Sequence, residues 1–144
     1  MAALPAPRAV LFDAYGTLFD VYSVGLLAEQ LFPAQGEKLA QLWRDKQIEY
    51  TRLLTMAGRY KPFWDVTRAA LRWSCQRLAL KLDAAGEERL MNQYRHLSAF
   101  PENREVLQAL AARGIRAGIL SNGDPEMLAV AVKSAGFADL LDPV

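Results

Sequence analysis

The chain has 144 residues, of which 52% are hydrophobic and 23% charged, a composition typical of a globular domain with one hydrophobic core. Its 17 basic and 16 acidic side chains give a net charge of +1, which argues against a nucleic-acid or anionic-membrane partner. A single cysteine excludes an internal disulfide framework, and no leader or membrane-spanning segment is recognised, so a cytoplasmic protein is expected.

The first predicted element is a strand over residues 8–13, because a short apolar run precedes Asp13 and a turn follows at Gly16. Such a run is typical of a buried strand in a parallel sheet. Ligands of open α/β sheets bind beyond the carboxyl ends of the strands, so the Asp13 carboxylate is placed to act as a nucleophile. The alternative is a turn aspartate that closes the strand, and position alone does not decide between the two.

Four amphipathic helices are predicted next, because apolar residues recur at helical spacings. Their approximate ranges are 23–31, 37–57, 65–80 and 84–97. Ser23 and Asp65 are the expected N-caps of the first and the third helix. Together the helices form an all-α block after the first strand.

The pattern then changes to helix, strand and helix. An amphipathic helix is predicted over residues 103–113, and a second strand over residues 115–120. Asp124 and Pro125 are typical of a helix start, with an N-cap aspartate and proline at the first helical position. The order of elements predicts an α/β core interrupted by a helical insertion.

The two strand ends carry a family resemblance. Residues 12–20 (FDAYGTLFD) resemble the first motif of the haloacid dehalogenase superfamily, and residues 120–123 (LSNG) resemble its second. The aromatic Tyr15 and the segment 42–51 (LWRDKQIEYT) are similar to L-2-haloacid dehalogenases of type II. The resemblance spans residues 8–136 and implies a Rossmann-like parallel-sheet core of the haloacid dehalogenase type, incomplete here, with an inserted helical cap.

The resemblance also implies the domain organisation and the partners. Residues 1–20 and 98–144 would form the N-terminal portion of the α/β core, and residues 21–97 the helical cap. The implied partner is a small 2-haloacid, and type II relatives suggest a homodimer by analogy. No metal or other cofactor is implied, because neither the nucleophile nor the leaving group is a phosphate.

The implied reaction is hydrolysis of an L-2-haloacid to a 2-hydroxy acid. An aspartate carboxylate is an anion at neutral pH and is able to attack carbon. Asp13 would displace halide from C2 in line, which inverts that centre and leaves an ester on Asp13. Water would then attack the ester carbonyl, release the 2-hydroxy acid and restore the carboxylate.

Two polar residues are implied to assist Asp13. Arg44 would cradle the departing halide, because a guanidinium stays protonated and offers several donors. Thr17 would hydrogen-bond Asp13 and fix its rotamer. The alternatives are a solvated helix arginine and a plain turn threonine.

Four residues are implied to bind the substrate. Ser121 and the backbone amide of Asn122 would hold its carboxylate near a helix N-terminus, which favours anions. Tyr15 and Phe63 would line an apolar pocket over C2 and exclude bulk water. The alternatives are an ordinary strand-to-helix turn for the first pair and a plain core position for Phe63.

The sequence departs from the family at its C-terminal end, since it stops at Val144 where relatives continue for a further third or more. That further part supplies core strands, a lysine, and late Asn and Asp residues that position the hydrolytic water. We therefore assign no catalytic lysine and expect a truncated chain with impaired ester hydrolysis.

Two other functions stay open at this point. A metal-dependent phosphatase of the same superfamily needs an acid where Tyr15 stands. A non-catalytic interaction fragment would bind a partner through the open sheet edge beside residues 115–120.

Overall fold

The computed structural model describes residues 7–142, which contain two strands, one 3-10 helix and six α-helices. The strands are β1 (Ala9–Phe12) and β2 (Arg116–Ile119). The helices are a 3-10 helix (Val21–Val24), α1 (Gly25–Leu31), α2 (Gly36–Met56), α3 (Phe63–Arg77), α4 (Ala84–Arg95), α5 (Glu102–Ala112) and α6 (Pro125–Ser134). The predicted α/β order is confirmed. Over the described range, no helix combines the length and apolar character that crossing a membrane requires.

The two strands pair in parallel and end at the same edge of the sheet. Phe12, the last residue of β1, lies opposite Ile119, the last residue of β2. The Leu120 amide continues the ladder by donating to the Phe12 carbonyl at 2.9 Å. Because the register aligns the two strand ends, Asp13 and Ser121, which follow the strands by one and two residues, leave the sheet at the same edge.

The prediction that the first strand is buried is wrong for the residues that the structure describes. None of the four residues of β1 is buried, and Leu11 is 65% exposed. Leu120, just after β2, is 70% exposed. The reason is that, among residues 7–142, β1 has a neighbouring strand along one edge only, and no helix packs extensively against its faces.

The hydrophobic core extends from the helical block to the ends of the strands. Helix α2 presents Leu39 and Trp43 to it at helical spacing. The largest fully buried side chains are Trp43, Tyr94, Phe19, Phe137, Leu18, Leu39, Leu71, Leu90, Met91, Leu97, Leu107 and Gln47. One amide side chain, that of Gln47, therefore lies deep among apolar neighbours, where it needs hydrogen-bond partners.

Both predicted caps in the helical block are wrong. Ser23 lies inside the 3-10 helix, whose N-cap is Asp20, because the Asp20 carboxylate accepts a 2.9 Å hydrogen bond from the Tyr22 amide. Asp65 lies in the first turn of α3, which begins directly after Pro62. Proline has no side-chain acceptor, so the first amides of α3 require a partner from elsewhere.

Two adjacent connections join the helical block to the rest of the chain. The Asp20 amide donates to the Ser98 carbonyl at 2.8 Å, and the Phe100 amide donates to the Leu18 carbonyl at 3.2 Å. The chain thus leaves and re-enters the α/β part at one place. This pairing supports the proposed division at residues 20 and 98, which stays a prediction.

Candidate active site

A cleft of about 270 Å³ lies at the carboxyl ends of the two strands, with the helical block on its other side. Six of the seven sequence-predicted site residues line it: Asp13, Tyr15, Arg44, Phe63, Ser121 and Asn122. The remaining lining residues, Ile48, Thr51 and Arg52, come from α2. Both the strand ends and the helical block therefore contribute to one site.

Asp13 is the first residue after β1, and its side chain is exposed at the cleft. The following turn is tight, because the amides of Leu18 and Phe19 both donate to the Ala14 carbonyl at 2.9 Å. Gly16 has a φ of +99°, a left-handed conformation that favours glycine. The turn leaves the Asp13 carboxylate open to a ligand while it buries Ala14, Tyr15, Leu18 and Phe19.

Thr17 is the predicted residue that the structure does not bring into the cleft. It is exposed, and its carbonyl accepts a 2.9 Å hydrogen bond from the Asn103 side chain. Across residues 7–142, no hydrogen bond joins the Thr17 hydroxyl to Asp13. The Asn103 side chain also donates to the Leu18 carbonyl at 3.0 Å, so α5 stabilises the backbone of the turn.

Arg44 projects from α2 and bridges the helical block to the turn after β1. Its Nη2 donates to the Tyr15 carbonyl and its Nη1 donates to Gln47 Oε1, both at 2.8 Å. These two bonds use two of the five guanidinium N–H groups. The others stay available at the cleft, where they could bind an anion.

Sequence reasoning missed the buried polar network behind Arg44. Gln47 Nε2 donates to the Thr67 hydroxyl at 2.6 Å, and the Tyr94 hydroxyl donates to Gln47 Oε1 at 3.0 Å. The Thr67 hydroxyl in turn donates to the Phe63 carbonyl at 2.7 Å. Burial raises the pKa of the Tyr94 phenol, so this group stays a donor. The network fixes both Arg44 and the start of α3.

A signal for Gln47 was present in the sequence. Gln47 follows Trp43 by four residues and Leu39 by eight, which places it on the inward face of α2. A polar residue on an otherwise apolar face predicts a buried hydrogen-bond partner. The identity of the partners, Thr67 and Tyr94, depends on helix packing that spacing alone does not give.

Aromatic side chains form the inner wall of the cleft. The Tyr15 and Phe63 ring centroids are 5.4 Å apart, and the Tyr15 and Tyr94 centroids are 5.7 Å apart. Burial raises the pKa of the Tyr15 phenol, and the nearby Tyr94 and Asp124 add to the effect. Within the described part of the chain, the Tyr15 hydroxyl has no hydrogen-bond partner. The wall is therefore apolar apart from two neutral hydroxyls, of which that of Tyr94 is hydrogen-bonded to Gln47 and that of Tyr15 is not.

The loop after β2 packs directly against this wall. A Cβ at Gly123 would lie 2.6 Å from Tyr15 Cε2, so only glycine permits this approach. Ser121 Oγ accepts a 3.1 Å hydrogen bond from the Gly123 amide, which leaves the Ser121 hydroxyl hydrogen free to donate. Together with the exposed Asn122, this loop can bind a carboxylate at the cleft.

The chain belongs to the haloacid dehalogenase-like hydrolase family, whose model matches residues 7–144. This match confirms the resemblance of the two strand-end motifs. It also accounts for the observed architecture, a parallel α/β core of the haloacid dehalogenase type with inserted helices.

The similar proteins reported below are all named 2-haloacid dehalogenases, one branch of the family. The (S)-2-haloacid dehalogenase of Xanthobacter autotrophicus is 43% identical over 137 residues, which are 95% of this chain and 53% of that protein. The crystal structure of the L-2-haloacid dehalogenase RSc1362 is 59% identical with a TM-score of 0.91, and the match covers 96% of this chain and 63% of that one. The structure of the Xanthobacter autotrophicus enzyme with chloropropionic acid covalently bound is 42% identical with a TM-score of 0.88, and covers 95% and 55%.

The chain spans about half the length of the curated relatives it matches. Those relatives are named dehalogenases, so the comparisons do not favour the phosphatase alternative.

Proposed function

We propose that this chain carries the alkylation site of an (S)-2-haloacid dehalogenase, a hydrolase that acts on carbon–halogen bonds. The substrate class is L-2-haloacids and the product class is 2-hydroxy acids. The observation that carries the proposal is the cleft, which Asp13 lines together with Arg44 from the helical block and with Ser121 and Asn122 from the loop after β2.

In the first step, an oxygen of Asp13 attacks C2 of the haloacid and forms a C–O bond while the carbon–halogen bond breaks. The electron pair of that bond leaves with the halide, and the free N–H groups of Arg44 stabilise the developing charge. Ser121 and the Asn122 amide hold the substrate carboxylate, while Tyr15 and Phe63 exclude water from C2. Thr17 remains a predicted contributor to the orientation of Asp13.

In the second step, water attacks the ester carbonyl of Asp13, the 2-hydroxy acid leaves, and one proton is released. This step needs a group that accepts a proton from water. Among the described residues that line the cleft, Asp13 is the only carboxylate and no histidine is present. We therefore propose that the 144-residue chain alkylates faster than it hydrolyses its ester.

Chloride release from L-2-chloropropionate tests this function. We expect about one chloride per chain in a rapid phase, followed by slow turnover. Asp13→Asn should abolish the rapid phase, and the D-enantiomer serves as the substrate control. Absence of any chloride release by the folded chain would contradict the proposal.

We further propose that the protein is a cytoplasmic homodimer without a nucleic-acid or membrane partner. Exposed Leu53, Met56 and Tyr60 near the end of α2 support a second copy at this surface. The buried, unpaired Cys75 supports a reducing compartment. Sedimentation equilibrium should show a dimer that Met56→Glu weakens, and a monomer at every concentration would contradict it.

A further inference from the structure

The N-terminus of α3 is held by a residue from another part of the chain. Helix α3 begins after Pro62, whose side chain offers no acceptor to the first amides of the helix. Asp124 provides both acceptors: one carboxylate oxygen accepts from the Phe63 amide at 3.2 Å, and the other accepts from the Trp64 amide at 2.8 Å. We call these two hydrogen bonds the Asp124 contact.

Asp124 makes this contact instead of the local one that its sequence position predicts. Its backbone occupies the N-cap position of α6, with φ −66° and ψ 145°, but its side chain makes no hydrogen bond to that helix. A carboxylate at the first turn of α3 also interacts favourably with the helix dipole. The favourable charge and the paired acceptors explain why the side chain turns toward α3.

The Asp124 contact joins the two halves of the candidate active site. Asp124 follows Ser121 and Asn122 by three and two residues, in the loop proposed to bind the substrate carboxylate. Phe63, which receives the contact, is the α3 residue in the cleft lining, and its ring lies 5.4 Å from that of Tyr15. The distance between the carboxylate-binding loop and the Phe63 wall is therefore fixed by two hydrogen bonds.

A second contact supports the same junction. The Arg95 guanidinium of α4 lies 4.1 Å from the centre of the Trp64 ring, and its Nη1 lies 3.9 Å from Glu126 of α6. Glu126 is largely exposed, so its ion pair with Arg95 is weak. Of these two polar links between the start of α6 and the helical block, the Asp124 contact is therefore the stronger.

We propose that Asp124 is a positioning residue that holds the helical cap closed over the cleft and sets how far Phe63 reaches over C2 of the substrate. The claim that Asp124 holds the cap is based on the Asp124 contact alone. The claim that it sets the reach of Phe63 over C2 rests on the proposed dehalogenase function. Asp124 acts through Phe63, so it affects which haloacids fit and leaves the chemistry at Asp13 unchanged.

Amide hydrogen exchange tests the cap-holding part without any substrate. In Asp124→Ala, the Phe63 and Trp64 amides should exchange roughly tenfold faster, because each loses a charge-assisted hydrogen bond. Amides in the middle of α3, such as that of Leu71, should keep their protection. Asp124→Asn keeps one acceptor, so the exchange rates of the same two amides should increase less. This variant replaces Asp124→Ala in the test if the alanine variant folds poorly.

Asp139→Asn is the matched control, because it removes an exposed carboxylate that makes no contact with α3. It should exchange like the unchanged protein. Equal exchange of the Phe63 and Trp64 amides in all these proteins would overturn the proposal.

Substrate selectivity tests the part about C2. The rapid phase of halide release is compared between L-2-chloropropionate and its longer homologue L-2-chlorobutyrate. Asp124→Ala should raise the half-saturating concentration more than it lowers the maximal rate, and should shift preference toward the longer acid by roughly fivefold. An unchanged preference together with faster amide exchange would overturn the positioning role. A folded, unchanged chain that releases no halide would overturn the dehalogenase function, while the exchange result would still decide whether Asp124 holds the cap.

Discussion

Arg44 illustrates how a flexible side chain becomes a fixed part of a site. Its guanidinium donates to an acceptor on the turn after β1 and to an acceptor on its own helix, both at 2.8 Å. Gln47, the acceptor on the helix, is itself fully buried and held by Thr67 and Tyr94. These contacts fix the orientation of the Arg44 side chain before any ligand binds, which would lower the entropy cost of the halide binding proposed for it.

Gln47→Ala should weaken both folding and alkylation. The change leaves Arg44, Thr67 and Tyr94 each without one hydrogen-bond partner, which we expect to cost about 2–3 kcal/mol of unfolding free energy. Displacement of the guanidinium should slow the rapid phase of halide release by roughly tenfold or more. Urea unfolding and stopped-flow chloride detection measure the two effects.

The control for Gln47 is Gln41→Ala, an exposed glutamine on the same helix. It should leave both quantities nearly unchanged. If the two variants release halide at the same rate, the network does not position Arg44.

At the scale of elements, the sequence predicts the position of a site residue where that position follows from the neighbouring strand or helix. Asp13 and Ser121 could be placed at one edge because parallel strands end there together, and both residues line the cleft at that edge. The cap of α3 could not be predicted, because Asp124 has a local helix to cap and bonds instead to an element 60 residues earlier. Burial of β1 was predicted wrongly, because an apolar run does not tell whether helices pack over the strand or whether a strand pairs along each of its edges.

The link between α3 and α4 gives a prediction about pH. Hydrogen bonds from Arg72 and Arg68 lower the pKa of Glu87 in the folded state, at distances of 2.7–2.8 Å. The stabilisation is therefore present above the unfolded pKa, about 4.3 for a glutamate, and is lost as pH falls through the folded pKa.

We expect Glu87→Gln to lower the unfolding free energy by about 1 kcal/mol at neutral pH, since Arg72 is largely exposed and solvent screens the pair. The difference from the unchanged protein should shrink as the pH falls below about 4. Urea unfolding at a series of pH values checks this. A difference that stays constant down to pH 3 would contradict the role assigned to Glu87.

At the scale of the whole molecule, the described residues bring together the groups that the proposed attack on carbon would use. The cleft brings together a carboxylate, an arginine held by two hydrogen bonds, an aromatic wall and the polar loop after β2. A second carboxylate or a histidine for activating water is not among the described residues that line it. The two half-reactions should therefore separate in time, so the ester accumulates.

Peptide mapping of the alkylated chain determines whether Asp13 is the nucleophile. The protein is mixed with L-2-chloropropionate, quenched in acid during the rapid phase and digested, and the peptides are sequenced by mass spectrometry. We expect a lactyl ester on Asp13, absent from Asp13→Asn and from the sample treated with the D-enantiomer. Chloride release without any adduct on Asp13, or with the adduct on another carboxylate, would contradict it.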